Sequence, residues 1–368
     1  MRPASPIRPL IPSPDGLSIE VLDQTRLPHE SHVLKLSTQD EVVHAIRSMI
    51  VRGAPLIGAA AAWGLVFALR EDASDQSLRE SCARLNATRP TAVNLAWALA
   101  RMQTCLTPLQ LSDRYQAAQK EALAICDEDE AQNYAIGQHG LKILQDLYKE
   151  KQRPLRLLTH CNAGALATVG WGTALAPMYL AQLAGLPFEV WVDETRPRNQ
   201  GALTAWELHR AGIQHTYISD NAGGHLMQHG LVDCVIVGAD RVSAQGDVCN
   251  KIGTYLKALA AKEAGIPFYA AVPTPTIDWA IQVALTEIPI EERNADEVTW
   301  VQGLTREGRL ESVRVTPLGV QSGNPAFDVT PAHLITGILT EQGLYSASLQ
   351  GLKPLREELN QIHITKLT

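Results

Sequence analysis

Four stretches of this 368-residue chain close an apolar run with a cluster of polar side chains. They are Thr159-His160-Cys161-Asn162-Ala163-Gly164, Asp193-Glu194-Thr195-Arg196-Pro197-Arg198, Ser219-Asp220-Asn221 and Gly238-Ala239-Asp240-Arg241. Cys161 follows a predicted strand and precedes small residues that read as a helix start, and a helix N-terminus favours the thiolate. The plainer reading is a buried small apolar side chain, as for most isolated cysteines. His160 is the tempting partner, but neighbours on a strand point to opposite faces, which argues against a direct dyad. Asp240 ends the most apolar strand in the chain. Partial desolvation there favours the protonated carboxyl, the form a general acid needs. The alternative is a carboxylate paired with Arg241 or capping a helix. Asp247, in the loop that follows, reads as a turn residue or a supporting partner.

Several places suit an anion. Asn250-Lys251 reads as the opening of a helix, where free backbone N–H groups and an ammonium would face a phosphate. Asn162-Ala163-Gly164 has the same character. Arg52-Gly53-Ala54 forms a tight turn before one helix, and Arg89 stands just before another. Each arginine taken singly reads as a solvated surface charge. Together these places describe a site with more than one route to hold a phosphate.

The elements that must position these residues follow from the pattern beyond Arg153-Pro154. Apolar runs LRLLTH (155–160), FEVWVDE (188–194), HTYISD (215–220), DCVIVGAD (233–240) and PFYAAVP (267–273) alternate with helix-like stretches such as LTAWELHRAG and NKIGTYLKALAAKEAG. Such alternation predicts a parallel sheet covered on both faces, with ligands at the carboxyl ends of its strands. All four polar clusters would then meet at one edge. Earlier in the chain, LSIEVL (17–22) reads as a strand, and Thr38 as the N-cap of a helix through VVHAIRSMI. Pro55 suits the first turn of a helix through IGAAAAWGLVFAL. Further helices are predicted around 75–86, from about Thr91 to Gln103, and through 112–149. Late in the chain, VTWVQGL and LESVRVTP flank a hairpin turn at 305–309, a helix starts near Thr330-Pro331, and LREELNQI is helical. The predicted fold class is α/β. A mostly helical N-terminal domain (1–150) with a short β element at its start precedes a Rossmann-like domain with a parallel sheet (151–345) and a C-terminal extension (346–368).

Composition narrows the function. A formal net charge of −7 argues against a nucleic-acid binder with a broad basic face. Apolar residues at 45% and charged residues at 19% exclude a disordered chain. The six cysteines (Cys82, Cys105, Cys126, Cys161, Cys234, Cys249) show neither CxxC pairs nor zinc-type Cys/His spacing. They read as reduced thiols in a cytoplasmic protein, with no metal. The opening MRPASPIRPLIPSPDG lacks the apolar centre of a signal peptide. Gly53 to Leu69 is uncharged over 17 residues, short of the roughly 20 needed to span a bilayer. Like the glycine-broken stretch 162–188, it reads as buried helix, so no membrane partner is expected. No GxGxxG follows a predicted strand, so no dinucleotide cofactor is expected either.

Taken together, VRGAPLIGAAAAWG, RPTAVNLAWAL, LLTHCNAGALATVGWGTAL, VWVDETRPRNQGALTAWEL, VIVGADRV with GDVCNKIGTY, and NPAFDVTPAHLITGILTE closely resemble the methylthioribose-1-phosphate isomerases of methionine salvage. The resemblance runs from LDQTRLP (22–28) to about residue 341. The wider superfamily also holds ribose-1,5-bisphosphate isomerases and the alpha, beta and delta regulatory subunits of a translation-initiation nucleotide exchange factor. The resemblance implies a helical domain joined to a Rossmann-like domain in a homodimer that isomerises a small sugar phosphate. It implies Cys161 and Asp240 as the catalytic pair, and substrate contacts at Arg52, Gly53, Ala54, Arg89, Gln200, Asn250 and Lys251. A non-catalytic regulatory subunit would be expected to lose Cys161 and Asp240. An isomerase of another sugar 1-phosphate, such as ribose 1,5-bisphosphate, would need added basic residues at the 5-position. One departure stands out: this chain reads QGALTAWEL where the family reads QGARLTAWEL. One residue fewer turns the following helix by about 100° unless the loop absorbs it.

Overall fold

In the computed structural model, which describes residues 6–89 and 92–367, Thr38 opens the first helix as predicted. Its hydroxyl accepts from the Glu41 N–H while the Glu41 carboxylate accepts from the Thr38 N–H. This reciprocal cap satisfies two donors that the helix itself leaves open. Helix α1 (Gln39–Arg47) is followed by the Arg52-Gly53-Ala54 turn, and Pro55 sits in the first turn of α2 (Ala54–Glu71). α2 packs against α1, α3 (Asp75–Asn86) and α4 (Val93–Leu106). Its small residues permit that crowding: a Cβ on Gly58 would stand 2.7 Å from the Asn94 carbonyl oxygen. α2 is long and apolar enough to cross a bilayer, but 78% of it is buried, so it is a core helix. Thr91, the predicted start of α4, lies outside the described residues, as do the first five residues of the opening stretch.

A three-stranded antiparallel sheet precedes these helices: β1 (Leu10–Pro12), β2 (Ile19–Leu22) and β3 (Val33–Leu36). Only β2 was legible: β1 has three residues, and β3, though as long as β2, buries only Leu36. The long helix α5 (Leu111–Lys151) follows α4. The described residues up to Tyr134 together with Ala163–Gly172 make one compact unit, here the helical unit. The other, the sheet unit, holds Ala135–Asn162 and Thr173 onward.

The sheet unit contains, in chain order, β4 (Leu155–Thr159), α6 (Ala176–Leu183), β5 (Phe188–Asp193), α7 (Gln200–Arg210), β6 (His215–Ile218), α8 (Ala222–Gln228) and β7 (Cys234–Val237). β8 (Arg241–Ser243), β9 (Val248–Lys251), α9 (Thr254–Glu263), β10 (Phe268–Ala271) and β11 (Ile277–Asp278) follow. The remainder is α10 (Ala284–Glu287), α11 (Asp296–Thr299), β12 (Trp300–Leu304), β13 (Leu310–Arg314), β14 (Phe327–Thr330), β15 (Gly337–Thr340), β16 (Gly343–Tyr345) and α12 (Leu349–Leu367). The main sheet has the order β6-β5-β4-β7-β10-β15-β16, parallel throughout except for β16. Its strand order reverses between β4 and β7, and such a switch point opens a crevice at the carboxyl ends of the strands. Leu157 lies opposite Cys234 and Leu158 opposite Val235, which fixes the exits of β4 and β7 side by side. A smaller sheet, β11-β8-β9-β14, stands apart from the main one, and β12 and β13 form the predicted hairpin. In α12, Leu352 and Leu355 are fully buried in one core with Ile335 and Ile338.

Three stretches depart from their predicted conformation. No helix starts after Cys161. Residues 163–172 hold only a short 3-10 turn at Ala165–Ala167, because Gly164 and Gly172 bridge so closely that a Cβ on Gly172 would be 2.2 Å from the Gly164 carbonyl carbon. Asn250 and Lys251 do not open a helix. They close β9, which pairs with β8 on one side and β14 on the other. Near Thr330-Pro331 the chain is strand, a 3-10 turn and strand again. Pro331 is extended (φ −61°, ψ 143°), and the segment beyond it adds β15 beside β10.

Candidate active site

Cys161 leaves β4 in a left-handed conformation, φ +68°, which costs a side-chain-bearing residue on the order of 1 kcal/mol or more. Three neighbouring elements hold it there. Its N–H donates to Thr195 Oγ1 (2.8 Å), just beyond β5, and its carbonyl accepts from Thr204 Oγ1 on α7 (2.8 Å). Thr195 is itself left-handed at φ +62°. Its N–H and that of Arg196 donate to the two carboxylate oxygens of Asp220, beyond β6 (both 2.8 Å). Asn162 Nδ2 donates to Glu207 Oε1 (2.8 Å) and Thr204 Oγ1 (3.1 Å). Tyr179 donates its hydroxyl to Glu207 Oε2 (2.8 Å), and burial beside Glu207 pushes the phenol well above its usual range, so it stays a donor.

Asp240 leaves β7 on the neighbouring strand, its N–H bonded to the Cys249 carbonyl (3.0 Å). Cys249 precedes Asn250 and Lys251, so that bond ties the Asp240 exit to the end of β9. Asn250 Nδ2 donates to Thr254 Oγ1 (3.0 Å). Lys251 donates to the Ala326 carbonyl (2.9 Å) and stands 4.7 Å from the centre of the Phe327 ring. The first amides of α9 are not open to a phosphate in the manner predicted: the Asp328 carboxylate accepts from Gly253 N–H (2.7 Å) and Tyr255 N–H (3.1 Å). Arg241 reaches Asp278 (3.3 Å). Asp247 is a turn residue, accepting from the Ala332 N–H (3.0 Å) and the Ser243 hydroxyl (3.3 Å). Burial raises the thiols of Cys82, Cys126 and Cys249 to about 12 and that of Cys234 higher still, so these four are inert thiols.

The model of the initiation factor 2 subunit family matches residues 50–347. The methylthioribose-1-phosphate isomerase of Rhodospirillum rubrum is 58% identical over 96% of this chain and 93% of its own. The crystal structure of 5-methylthioribose 1-phosphate isomerase from Pyrococcus horikoshii OT3 covers 95% of this chain and 96% of its own, at 40% identity and a TM-score of 0.82. Translation initiation factor eIF-2B subunit delta from A. fulgidus has a TM-score of 0.75 at 36% identity, over 92% of this chain and 96% of its own. The chain belongs to the initiation factor 2 subunit family.

Within that family framework the remaining predicted residues divide between the two units. Cys161, Asp240, Gln200, Asn250 and Lys251 lie in the sheet unit; Arg52, Gly53, Ala54 and Arg89 lie in the helical unit. In the helical unit Gly53 is left-handed (φ +98°), and a Cβ there would be 2.4 Å from the Ala167 Cα and carbonyl oxygen. The stretch that directly follows Cys161-Asn162 thus packs on the Arg52-Gly53-Ala54 turn. Arg89 sits in the turn before α4, its carbonyl accepting from the Ala92 N–H (3.0 Å).

The stretch QGALTAWEL forms the first turns of α7. Asn199 is left-handed (φ +53°), Gln200 starts the helix, and Leu203, Thr204 and Glu207 face inward. Gly201 lets this helix start rest on β5, since a Cβ there would be 1.7 Å from the Asp193 carbonyl oxygen. Thr204, Glu207, Tyr179 and Lys257 were missed by sequence reasoning. The signal for two of them was present: Thr204 and Glu207, three apart, share a helix face with Leu203 and Leu208. Finally, ligand atoms of His160, Asp193 and Asp220 lie within 4.8 Å of one another, as in a metal site. The Lys257 ammonium stands beside this cluster, 3.2 Å from Asp193 Oδ2 and bonded to the Asp220 backbone carbonyl (2.6 Å).

Proposed function

We propose that this protein is a methylthioribose-1-phosphate isomerase of methionine salvage, converting S-methyl-5-thio-α-D-ribose 1-phosphate to S-methyl-5-thio-D-ribulose 1-phosphate. The observation that carries this reading is an end-to-end likeness to isomerases of that name. The exits of β4 and β7, which bear Cys161 and Asp240, support it as neighbours at the sheet's switch point. We assign Cys161 and Asp240 as the catalytic pair, with Arg52, Gly53, Ala54, Arg89, Gln200, Asn250 and Lys251 holding the substrate. Gln200 adds support: its side chain is buried and its Oε1 accepts no hydrogen bond among the described residues. A buried acceptor left open is costly, and a sugar hydroxyl would satisfy it. The protein works in the cytoplasm as a homodimer, a reading that rests on its unpaired, scattered cysteines and its family likeness.

The substrate's phosphate sits on the anomeric oxygen, so proton loss alone cannot open the ring to an aldehyde. Ring opening needs an acid at the ring oxygen and leaves carbon 1 cationic. Protonated Asp240 is that acid. Hydrogen then moves from carbon 2 to carbon 1, and the 2-hydroxyl passes its proton back to the Asp240 carboxylate as the ketone forms, which restores the acid. In one route the Cys161 thiolate takes the carbon 2 proton, passes through an enol and returns it to carbon 1. In the other a hydride shifts directly, with Cys161 and apolar walls shaping the cavity. We favour the hydride route because a water-poor site also protects the cation. Turnover in heavy water tests the hydride route, which predicts no deuterium at carbon 1 of the product; deuterium there excludes it. Turnover of methylthioribose 1-phosphate beside ribose 1,5-bisphosphate tests the substrate. Faster turnover of the bisphosphate, or of neither, overturns the assignment.

A further inference from the structure

His160 has no place in the proposed chemistry, yet it is completely buried directly before the catalytic thiol. Its Nδ1 lies 3.0 Å from Asp193 Oδ2 at the end of β5, and 3.8 Å from Asp220 Oδ1. Its Nε2 lies 2.8 Å from the Ile252 carbonyl oxygen. The Ile252 carbonyl can only accept, so Nε2 donates to it, while Nδ1 and Asp193 share the other contact. Lys257 backs the same carboxylate from α9. The Ile252-Gly253 turn is moulded to the ring: Gly253 is left-handed (φ +100°), and a Cβ on it would be 3.0 Å from His160 Cε1. The Gly253 N–H is pinned on its other side by Asp328. Asn250 and Lys251 come immediately before this turn, and Cys161 immediately after His160.

We propose that His160 is a positioning residue that sets the substrate-binding end of β9 against the catalytic turn. The contact between Nδ1 and Asp193 orients the ring, and the Nε2–H bond to Ile252 carries the coupling. The proposal rests on the reading that Asn250 and Lys251 hold the substrate phosphate. His160 touches no substrate, so its effect belongs in phosphate affinity more than in the chemical step.

Two substitutions separate the ring nitrogens. The amide of His160→Gln reaches about as far as Nε2, and that of His160→Asn about as far as Nδ1. KM for methylthioribose 1-phosphate and the competitive Ki of inorganic phosphate are measured for both, with melting temperature as the control for folding. His160→Asn is expected to raise KM and Ki about tenfold, the scale of one buried hydrogen bond, while His160→Gln stays within about threefold of the unaltered protein. Equal effects in the two variants, or none in either, overturn the proposal. Lys251→Met is the companion. If it leaves the phosphate Ki unchanged, the phosphate-site reading fails and this proposal with it. If it raises Ki while His160→Asn does not, the proposal alone fails. Should either His160 variant fail to fold, the imidazole signals of the 15N-histidine-labelled protein serve instead: the His160 Nε2–H resonance is expected to exchange slowly and to shift on saturation with inorganic phosphate. A fast-exchanging or unmoved signal overturns the proposal.

Discussion

Cys161 owes its position to its backbone more than to its side chain. With its N–H given to Thr195 and its carbonyl taken by Thr204, the left-handed turn persists whatever atom replaces sulfur. Cys161→Ser is therefore a clean test of the thiol, and Asp240→Asn is its counterpart for the acid. Each is expected to lower kcat by about 10²- to 10⁴-fold, the range lost with a general acid or base. Melting temperature and phosphate binding should stay near those of the unaltered protein. Unfolding in either variant, or turnover within a few-fold of normal, would count against the catalytic assignment.

Among elements, the pivotal contact is the start of α7 against the end of β5. Gly201 brings the helix within reach of the Asp193 carbonyl, and that approach delivers Thr204 and Glu207 to the Cys161-Asn162 turn. Gly201→Ala should push the helix away and cost about 2 kcal/mol or more, as overpacking does, with a fall in kcat through loss of the two α7 bonds. Unchanged stability in urea unfolding would show that the loop yields instead. The exits of β4, β5 and β7 were legible in the sequence because each follows an apolar run that ends abruptly in polar residues. The conformation after Cys161 was not, since a run of alanines and glycines suits a helix equally well until the Gly164–Gly172 approach is known. Asn250-Lys251 was misplaced for a related reason: Val248 and Cys249 carry no alternation long enough to reveal a strand, and what makes them one is pairing with distant β14. The His160 contacts to Asp193 and Ile252 join segments 33 and 92 residues apart, a separation that no local pattern records.

At the scale of the whole molecule, two carboxyl groups are shifted in opposite directions, Asp129 in the helical unit and Glu297 in the sheet unit, and their pH windows overlap only between 3.8 and 4.5. In the helical unit, burial raises Asp129 from 3.8 to about 7, despite hydrogen bonds from the Val169 N–H and Asn133. The unfolded chain releases this proton near pH 4 and the folded one near 7, so stability falls across that interval and then levels. A rise of that size is worth on the order of 4 kcal/mol when fully expressed. In the sheet unit, burial works against ionised Glu297, but hydrogen bonds from Arg293 and Arg198 outweigh it and hold the carboxyl at about 2. That contribution is present above about pH 4.5 and is lost as pH falls toward 2. Asp129→Asn keeps an acceptor for Val169 but cannot ionise, so its stability relative to the unaltered protein should climb between pH 4 and 7 and stay flat above. Glu297→Gln should show a constant deficit from pH 8 to about 4.5 that closes in stronger acid. Thermal unfolding of the three proteins across this range checks both. An Asp129→Asn difference that does not vary with pH would mean that Asp129 is already ionised in the folded protein, and a Glu297→Gln deficit that persists at pH 2 would mean that the two arginines act by packing rather than by charge.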